Sequence, residues 1–118
     1  MKISFTHIMT KYDALWITLM PSITMDNYHM AESQIIESMT GCKNQNIVLD
    51  LSSIDTLFSS GVGLIIRLNR CAQGLKKQLY CVNITEKIRE GFRLMGLDKI
   101  ITFCASEQEY ALLVNDTS

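Results

Sequence analysis

The sequence predicts an α/β fold in which a mixed β-sheet of about five strands is flanked by about four α-helices. Three observations support this prediction. Apolar runs alternate with amphipathic stretches in the second half of the chain, as in parallel strands joined by crossover helices. Two earlier strand-like runs lie close enough to pair as a hairpin, and the hydrophobic period changes from strand to helix between residues 46 and 69. We expect residues 1–118 to form a single domain.

The first predicted elements are two strands. Residues 3–8 alternate partly between apolar and polar side chains, which suits an edge strand. Residues 14–19, with the sequence ALWITL, form a stronger strand. Tyr12 and Asp13 lie between the two runs, at the position of a hairpin turn. The two strands are therefore expected to be antiparallel neighbours on one side of the sheet.

A helix, a buried strand and a second helix are predicted next. Thr24 or Asp26 can cap the first helix. The buried side of this helix recurs at spacings of three and four residues: Tyr28, Ala31, Ile35 and Met39. Residues 47–51 form the compact apolar run of a central strand that is covered on both faces. Residues 59–74 follow as the second helix, because their apolar positions return to helical spacing.

The remaining elements are two strands and two helices. Residues 79–82 and 100–103 are the strands. Thr85 caps the short helix between them. The buried side of this short helix carries three apolar residues: Ile88, Phe92 and Met95. Ser106 and Glu109 have the spacing of a capping box and begin the last helix.

Composition and charge exclude several classes of function. A hydrophobic content of 47% suits a globular protein, and a net charge of −1 provides no basic surface for nucleic acid. No apolar run reaches the length of about 20 residues that a membrane-spanning helix needs. The first residues, MKISFTHIM, lack the apolar core and cleavage site of a signal peptide. We therefore expect a cytoplasmic protein that binds neither nucleic acid nor membrane.

The sequence contains no recognisable catalytic or metal-binding pattern. Its four cysteines lack the CxxC spacing of zinc and redox sites, and Cys81 and Cys104 lie in or beside apolar runs that predict burial. Its two histidines, His7 and His29, have no partner pattern such as HExxH. The GVG at residues 61–63 lacks the third glycine of a dinucleotide fingerprint. The expectation is a protein without enzymatic activity, cofactor or metal.

Two serines at the start of the second helix permit two interpretations. The hydroxyl of Ser59 or Ser60 can cap backbone N–H groups that lack a partner within the helix. A phosphate at the same place would be held by those N–H groups and by the positive end of the helix dipole. Ser59, Ser60 and Gly61 let another chain approach closely, and Val62, Gly63 and Ile66 continue this thin surface. Judged by these residues alone, the cap is the favoured interpretation.

Several segments in one order point to a known family. These are IVLDL at 47–51, SSGVG at 59–63, Ile88-Arg89 with Phe92, MGLDKII at 95–101, and SEQE at 106–109. In these segments the chain resembles the STAS domain family, and within it the bacterial anti-sigma factor antagonists. The resemblance is good from Asn46 to the end of the chain. The first half matches mainly in the order of its elements.

The resemblance implies a role for individual residues. In the family, the first serine of this segment is phosphorylated by a partner that is both anti-sigma factor and serine kinase. That residue is Ser59 here, with Ser60 as the fallback acceptor. Asp26 takes the place of a family acidic residue near the acceptor. Phe58 departs from the family pattern, because an aspartate usually stands at its position.

The function implied by the resemblance is that of an anti-sigma factor antagonist in a partner switch gated by serine phosphorylation. The implied partners are the serine-kinase anti-sigma factor and a PP2C-type phosphatase, and the free protein is expected to be a monomer. The implied partner-binding surface comprises Asp26, Phe58, Ser59, Ser60, Gly61, Val62 and Gly63. Two alternatives stay open. Phe58 suits a constitutive scaffold that is never phosphorylated, and the same surface suits the regulation of a pathway other than transcription.

Overall fold

The computed structural model describes residues 6–21, 23–54 and 59–115 and contains a five-stranded sheet in the order β1-β2-β3-β4-β5. The first two strands, β1 (Thr6–Lys11) and β2 (Ala14–Leu19), pair antiparallel. The turn between them consists of Tyr12 and Asp13, whose φ angles are 52° and 59°. Two consecutive positive φ angles are typical of the tight turns that close β-hairpins. The predicted hairpin is confirmed.

The other strands extend the sheet in parallel. They are β3 (Asn46–Asp50), β4 (Gln78–Val82) and β5 (Thr102–Cys104), and each pairs with the strand before it in the sequence. Four helices accompany the sheet: α1 (Tyr28–Gly41), α2 (Ser59–Gly74), α3 (Glu86–Leu94) and α4 (Glu107–Asn115). The mixed α/β architecture predicted from the sequence is therefore confirmed, with an antiparallel pair at the β1 edge.

The sheet has an unequal covering on its two faces. Helices α1, α2 and α3 pack on one face, where alternate strand residues such as Ile47 and Leu49 join Ile35, Leu68 and Phe92 in the larger core cluster. The opposite face carries a smaller cluster: Ala14, Trp16, Val48, Val82, Cys104 and Tyr110. Helix α4 contributes Tyr110, which is fully buried. Strand β3 is thus buried on both faces, as its apolar run predicted.

Aromatic rings hold α4 on the sheet. The Tyr110 ring lies 5.7 Å from the Trp16 ring and 5.1 Å from the Tyr80 ring, in edge-to-face geometry. Glu107, in the first turn of α4, pairs with Lys11 at 2.6 Å and accepts a hydrogen bond from the Tyr12 hydroxyl at 3.0 Å. The β1–β2 hairpin and the last helix are therefore connected although they lie at opposite ends of the sequence.

Several predicted helix boundaries are confirmed. Thr85 caps α3, because its hydroxyl accepts a hydrogen bond from the backbone N–H of Ile88 at 3.2 Å. Ser106 Oγ accepts from the N–H of Glu109 at 3.1 Å, and the Glu109 carboxylate reaches back to the N–H of Ala105 at 3.3 Å. Cys81 and Cys104 are buried, as expected.

No helix in the described ranges is long and apolar enough to span a bilayer.

The predicted cap of α1 was wrong. The helix begins at Tyr28, and neither Thr24 nor Asp26 occupies its N-cap. Asn27 is the N-cap residue, but its side chain makes no cap bond to the helix. Its Oδ1 instead accepts a hydrogen bond from the backbone N–H of Thr24 at 2.7 Å. The polar residues that signalled a cap form a turn ahead of the helix.

Three further boundaries differ from the prediction. The first strand spans Thr6–Lys11, and residues 3–5 of its predicted range lie outside the described residues. The last strand is Thr102–Cys104, because Ile100 ends a short 3-10 turn over Leu97–Lys99. Met95 does not face the core: α3 ends at Leu94, and Met95 is 55% exposed. Gly96 follows in a left-handed conformation that redirects the chain.

Candidate functional site

The candidate site lies at the edge of the sheet formed by the carboxyl ends of β2, β3 and β4. In α/β proteins this edge is where connecting loops meet and where ligands commonly bind. The β2–α1 loop contributes Asp26, which is exposed. The β3–α2 connection leads to Ser59 at the start of α2. Because β2 and β3 are parallel neighbours, both connections leave the sheet at the same edge.

The chain after β3 runs through a short turn before α2. The N–H of Leu51 donates to the carbonyl of Val82 at 3.0 Å, and the N–H of Ile54 donates to the carbonyl of Leu51 at 3.0 Å. Ile54 is buried in the larger core cluster. Phe58, predicted as part of the partner-binding surface, lies outside the described residues, as do 55–57.

The first turn of α2 is composed of small residues. Ser59 and Ser60 open the helix, and their side chains lie outside the described part of the structure. Gly61, Val62 and Gly63 follow and are half-buried. No acidic side chain occupies this turn. The positive end of the helix dipole is therefore not offset by a carboxylate from the helix itself.

Helix α2 is anchored immediately behind this turn. Leu64 and Ile65 are buried in the larger core, at 1% and 0% exposure. On its outer side, Arg67 pairs with Glu32 of α1 at 2.5 Å, and its guanidinium lies 5.5 Å from the centre of the Tyr28 ring. Core packing and this clamp fix the direction of α2 relative to α1. The first turn of α2 therefore belongs to a helix that is held in place by the core and by α1.

A buried carboxylate organises the loops at this edge. Asp50, the last residue of β3, is 8% exposed and accepts three hydrogen bonds. The donors are the indole N–H of Trp16 at 3.0 Å, the backbone N–H of Ser52 at 2.9 Å and the side-chain amide of Asn83 at 3.1 Å. Asn83 itself has a φ of 60°. Asp50 therefore ties together β2, the β3–α2 turn and the residue that follows β4.

The surroundings of Asp50 keep its carboxyl group ionised. Burial alone raises the pKa of this group, because it removes water from the charged form. The hydrogen bonds from Ser52, Trp16 and Asn83 outweigh burial and hold the pKa of Asp50 below its ordinary value. The charge is a structural one, since its oxygens are engaged by groups of the chain itself.

This hydrogen-bond network around Asp50 was not among the features predicted from the sequence. A signal was present, because Asp50 is a charged residue at the end of an otherwise apolar strand. Its donors Trp16 and Asn83 lie 34 and 33 positions away in the sequence, so the connection depends on strand register. A metal centre is not indicated here, because no cluster of three metal-ligating side chains occurs among the residues that the structure describes.

The sequence model of the STAS domain matches residues 8–110, which is most of the chain. The chain belongs to the STAS domain family. An anti-sigma-factor antagonist (STAS) domain protein from Planctomyces limnophilus has a similar structure, with a TM-score of 0.79 and 13% identity over 92% of this chain and 96% of that one. No protein matched in a search of curated sequences.

Two structures of the anti-sigma factor antagonist SpoIIAA, a Bacillus cell-fate determinant, are also similar. Its unphosphorylated form superposes with a TM-score of 0.74 at 19% identity, covering 94% of this chain and 96% of that one. Its phosphorylated form gives a TM-score of 0.69 at 19% identity, covering 92% and 98%. At these identities the likeness shows the fold of this chain.

Proposed function

We propose that this protein is an anti-sigma factor antagonist whose binding surface is switched by a phosphate on Ser59. Unmodified, the start of α2 docks on a partner that is both anti-sigma factor and serine kinase. Docking sequesters that partner and frees the sigma factor it holds. The kinase then transfers the γ-phosphoryl group of ATP to the hydroxyl of Ser59, or to Ser60 if Ser59 is not accepted. The chain itself carries out no catalytic step.

One observation carries this proposal: a Ser-Ser-Gly-Val-Gly turn begins α2 at the edge where the loops converge, in a member of the STAS domain family. A phosphate would add a charge of about −1.5 to −2 at neutral pH. The helix dipole and free N–H groups tolerate this charge in the free protein. A partner surface shaped for a neutral hydroxyl does not, because the phosphate would be desolvated and repelled.

The expected size of the switch is moderate. A loss of about 2.8 kcal/mol of binding free energy weakens affinity about a hundredfold, which is enough to exchange partners. Because the charge is added within the contact surface, no large rearrangement is required. The similarity of this chain to both the unphosphorylated and the phosphorylated form of SpoIIAA is consistent with such a switch.

In this proposal the binding surface also includes Asp26, from the β2–α1 loop, and Phe58, which directly precedes Ser59 in the sequence, while Gly61, Val62 and Gly63 allow close approach of the partner. A PP2C-type phosphatase would remove the phosphate and restore the binding form. We propose that residues 1–118 act as one STAS domain, monomeric when free and located in the cytoplasm.

Two replacements of Ser59 test the switch. Bound to beads, the Ser59→Ala protein should capture the kinase from an extract of the native cells, whereas Ser59→Asp should capture at least about tenfold less. Ser53→Asp is the matched control, since Ser53 is exposed in the nearby β3–α2 turn and brings the same charge to the same edge. Equal capture by Ser59→Ala and Ser59→Asp would contradict the proposal.

Modification is tested separately. Intact-mass analysis of the protein recovered from its native cells should show a phosphorylated fraction, and peptide mapping should place the phosphate on Ser59 or Ser60. Phosphate found only at other residues, or no phosphate under any growth condition, would contradict the proposed phosphorylation switch.

A second candidate function rests on Phe58. An aromatic residue in place of the family aspartate suits a permanent anchor in an assembly, because aromatic side chains often dominate binding energy at interfaces. In that case Phe58→Ala would abolish capture of the partner while no phosphate would be found. Phe58→Asp, which restores the family residue, separates the two functions by increasing phosphorylation only if the kinase switch exists.

A further inference from the structure

The outer edge of β5 has the features of a site that accepts an added strand. Strand β5 (Thr102–Cys104) ends the sheet, and within the described part of the chain its pairing is with β4 alone. An edge strand exposes backbone N–H and C=O groups that another extended chain can pair with. Pairing of another chain with this edge does not depend on the proposed phosphate switch.

A hollow lies on each side of this edge. On the α3 side, a hollow of about 320 Å³ is lined by Arg89, Arg93, Asp98, Thr102 and Phe103. On the α4 side, a hollow of about 330 Å³ is lined by Thr102, Phe103, Cys104, Glu109, Leu112 and Leu113. Thr102 and Phe103 line both hollows, so the edge of β5 runs between them. A strand added here would lie over both.

The two hollows differ in chemistry. The α3 hollow holds two arginines and one aspartate, and Arg93 is already paired with Glu90 at 2.6 Å. Neither Arg89 nor Asp98 makes an ion pair with any residue that the structure describes, so the hollow offers Arg89 as an unpaired cation next to one unpaired carboxylate. The α4 hollow is bordered by Leu112, which is 72% exposed, and Leu113, which is 44% exposed. Its charged residue is Glu109, whose carboxylate accepts a hydrogen bond from the backbone N–H of Ala105 at 3.3 Å. One side therefore favours an anionic side chain and the other an aliphatic one.

We infer that the β5 edge binds an extended peptide segment in which acidic and aliphatic residues alternate. Successive side chains of a strand point to opposite faces of the sheet. In a strand paired with β5, one row would pass Arg89 and Arg93 and the other would pass Leu112 and Leu113. Main-chain hydrogen bonds supply affinity in this mode of recognition, and the alternating side chains supply specificity.

Charge argues against a second copy of this chain as the occupant. In an antiparallel pairing of two β5 edges around a two-fold axis, α3 of one copy would lie beside α3 of the other, which brings together two hollows that each hold two arginines and one aspartate. The other exposed edge, β1, has the sequence THIMTK and contains no carboxylate to meet Arg89. A separate partner with acidic residues fits the edge better than either self-association.

Three synthetic peptides test the inference on the unmodified protein. The probe is a capped eight-residue peptide of alternating glutamate and valine, added to ¹⁵N-labelled protein up to about 1 mM, since short peptides bind in the micromolar to millimolar range. Saturable shifts of the Thr102–Cys104 amide signals are expected. A lysine–valine peptide, and a glutamate–valine peptide N-methylated at every residue, should each bind at least about tenfold more weakly.

Substitutions in the protein then test how much each hollow contributes to peptide binding. Arg89→Glu should weaken the glutamate–valine peptide about tenfold or more, while Arg70→Glu, a charge reversal at an exposed site on α2, should leave binding unchanged. Leu112→Ser should weaken it severalfold, with Met30→Ser on α1 as its control.

Four results would each overturn the inference. These are no saturable shift in β5, equal binding of the lysine peptide, equal binding of the N-methylated peptide, and line broadening from self-association through β5 without any peptide. The three peptides test charge and backbone pairing on the unmodified protein, so the test does not depend on the folding of a variant.

Discussion

The replacement Asp50→Asn tests the buried network directly, because it removes a charge with almost no change in shape. In the native structure Asp50 Oδ1 accepts from Ser52 and Asn83, and Oδ2 accepts from Trp16. An asparagine has only one acceptor oxygen. Whichever way its amide is turned, its NH₂ group faces a donor. Either the buried Trp16 indole or the part-buried groups of Ser52 and Asn83 then lose their acceptor.

The expected cost follows from this geometry. A buried donor left without a partner costs about 1–3 kcal/mol, and the bonds that remain are weakened because the acceptor is no longer charged. We expect Asp50→Asn to lower the free energy of unfolding by about 2–3 kcal/mol at pH 7. With an unfolding entropy of about 2.1 cal/mol/K per residue, this corresponds to a fall in Tm of roughly 8–12 °C.

The pH dependence of the free energy of unfolding tests the role of the Asp50 charge independently. The pKa of Asp50 is lower in the folded protein than its ordinary value of 3.8. Its contribution to stability is therefore fully present above the unfolded pKa and is lost as pH falls through the folded pKa. The difference in stability between the wild type and Asp50→Asn should be greatest near pH 7 and should shrink between about pH 5 and pH 2.

Urea unfolding followed by circular dichroism at several pH values measures both effects. Glu37→Gln is the control, because Glu37 is exposed on α1, and its unfolding free energy should change by less than about 0.5 kcal/mol. If Asp50→Asn changed stability no more than the control, or if the difference were the same at pH 3 and pH 7, the proposed role of Asp50 would be refuted.

Two further predictions concern backbone and core, and thermal or urea unfolding checks both. Gly91 lies inside α3, and a Cβ added there would meet nothing within 4 Å, so Gly91→Ala should stabilise the protein by about 0.5–1 kcal/mol. Gly96 has a φ of +74°, so Gly96→Ala should destabilise it by about 1–2 kcal/mol, and the same sign for both would contradict the backbone argument. Ile35 is fully buried, so Ile35→Ala should cost about 2–4 kcal/mol. Ile100 is 54% exposed, and Ile100→Ala should cost less than about 0.5 kcal/mol; similar losses at both sites would be evidence against the observed core.

Much of the candidate site could be predicted from the sequence because its signals are local. The change from strand to helical period placed the start of α2 at Ser59 and its end at Gly74, and the structure agrees. The caps at Thr85 and Ser106 were also predictable, since each involves residues three positions apart. Sequence alone did not establish whether Ser59 accepts a phosphate, and that role stays a prediction.

Two predictions from the sequence, the cap of α1 and the burial of Met95, were wrong because the same local pattern is compatible with more than one course of the chain. Asn27, between the two suggested cap residues and α1, turns its side chain back to Thr24 instead of into the helix. Met95 continues the apolar spacing of α3, yet the helix ends one residue earlier and leaves Met95 exposed. In both places the course of the chain after the turn, which depends on packing elsewhere, decided the outcome.

The sequence by itself determined the order and kind of the elements, because hydrophobic period, turn residues and caps act over a few neighbouring positions. Only the tertiary structure decided which distant groups meet. The strand register places the Trp16 indole and the Asn83 amide around the Asp50 carboxylate. The same register leaves β5 at an open edge between Arg89 and Leu112. Contacts of this kind join residues far apart in the chain, so no local pattern encodes them.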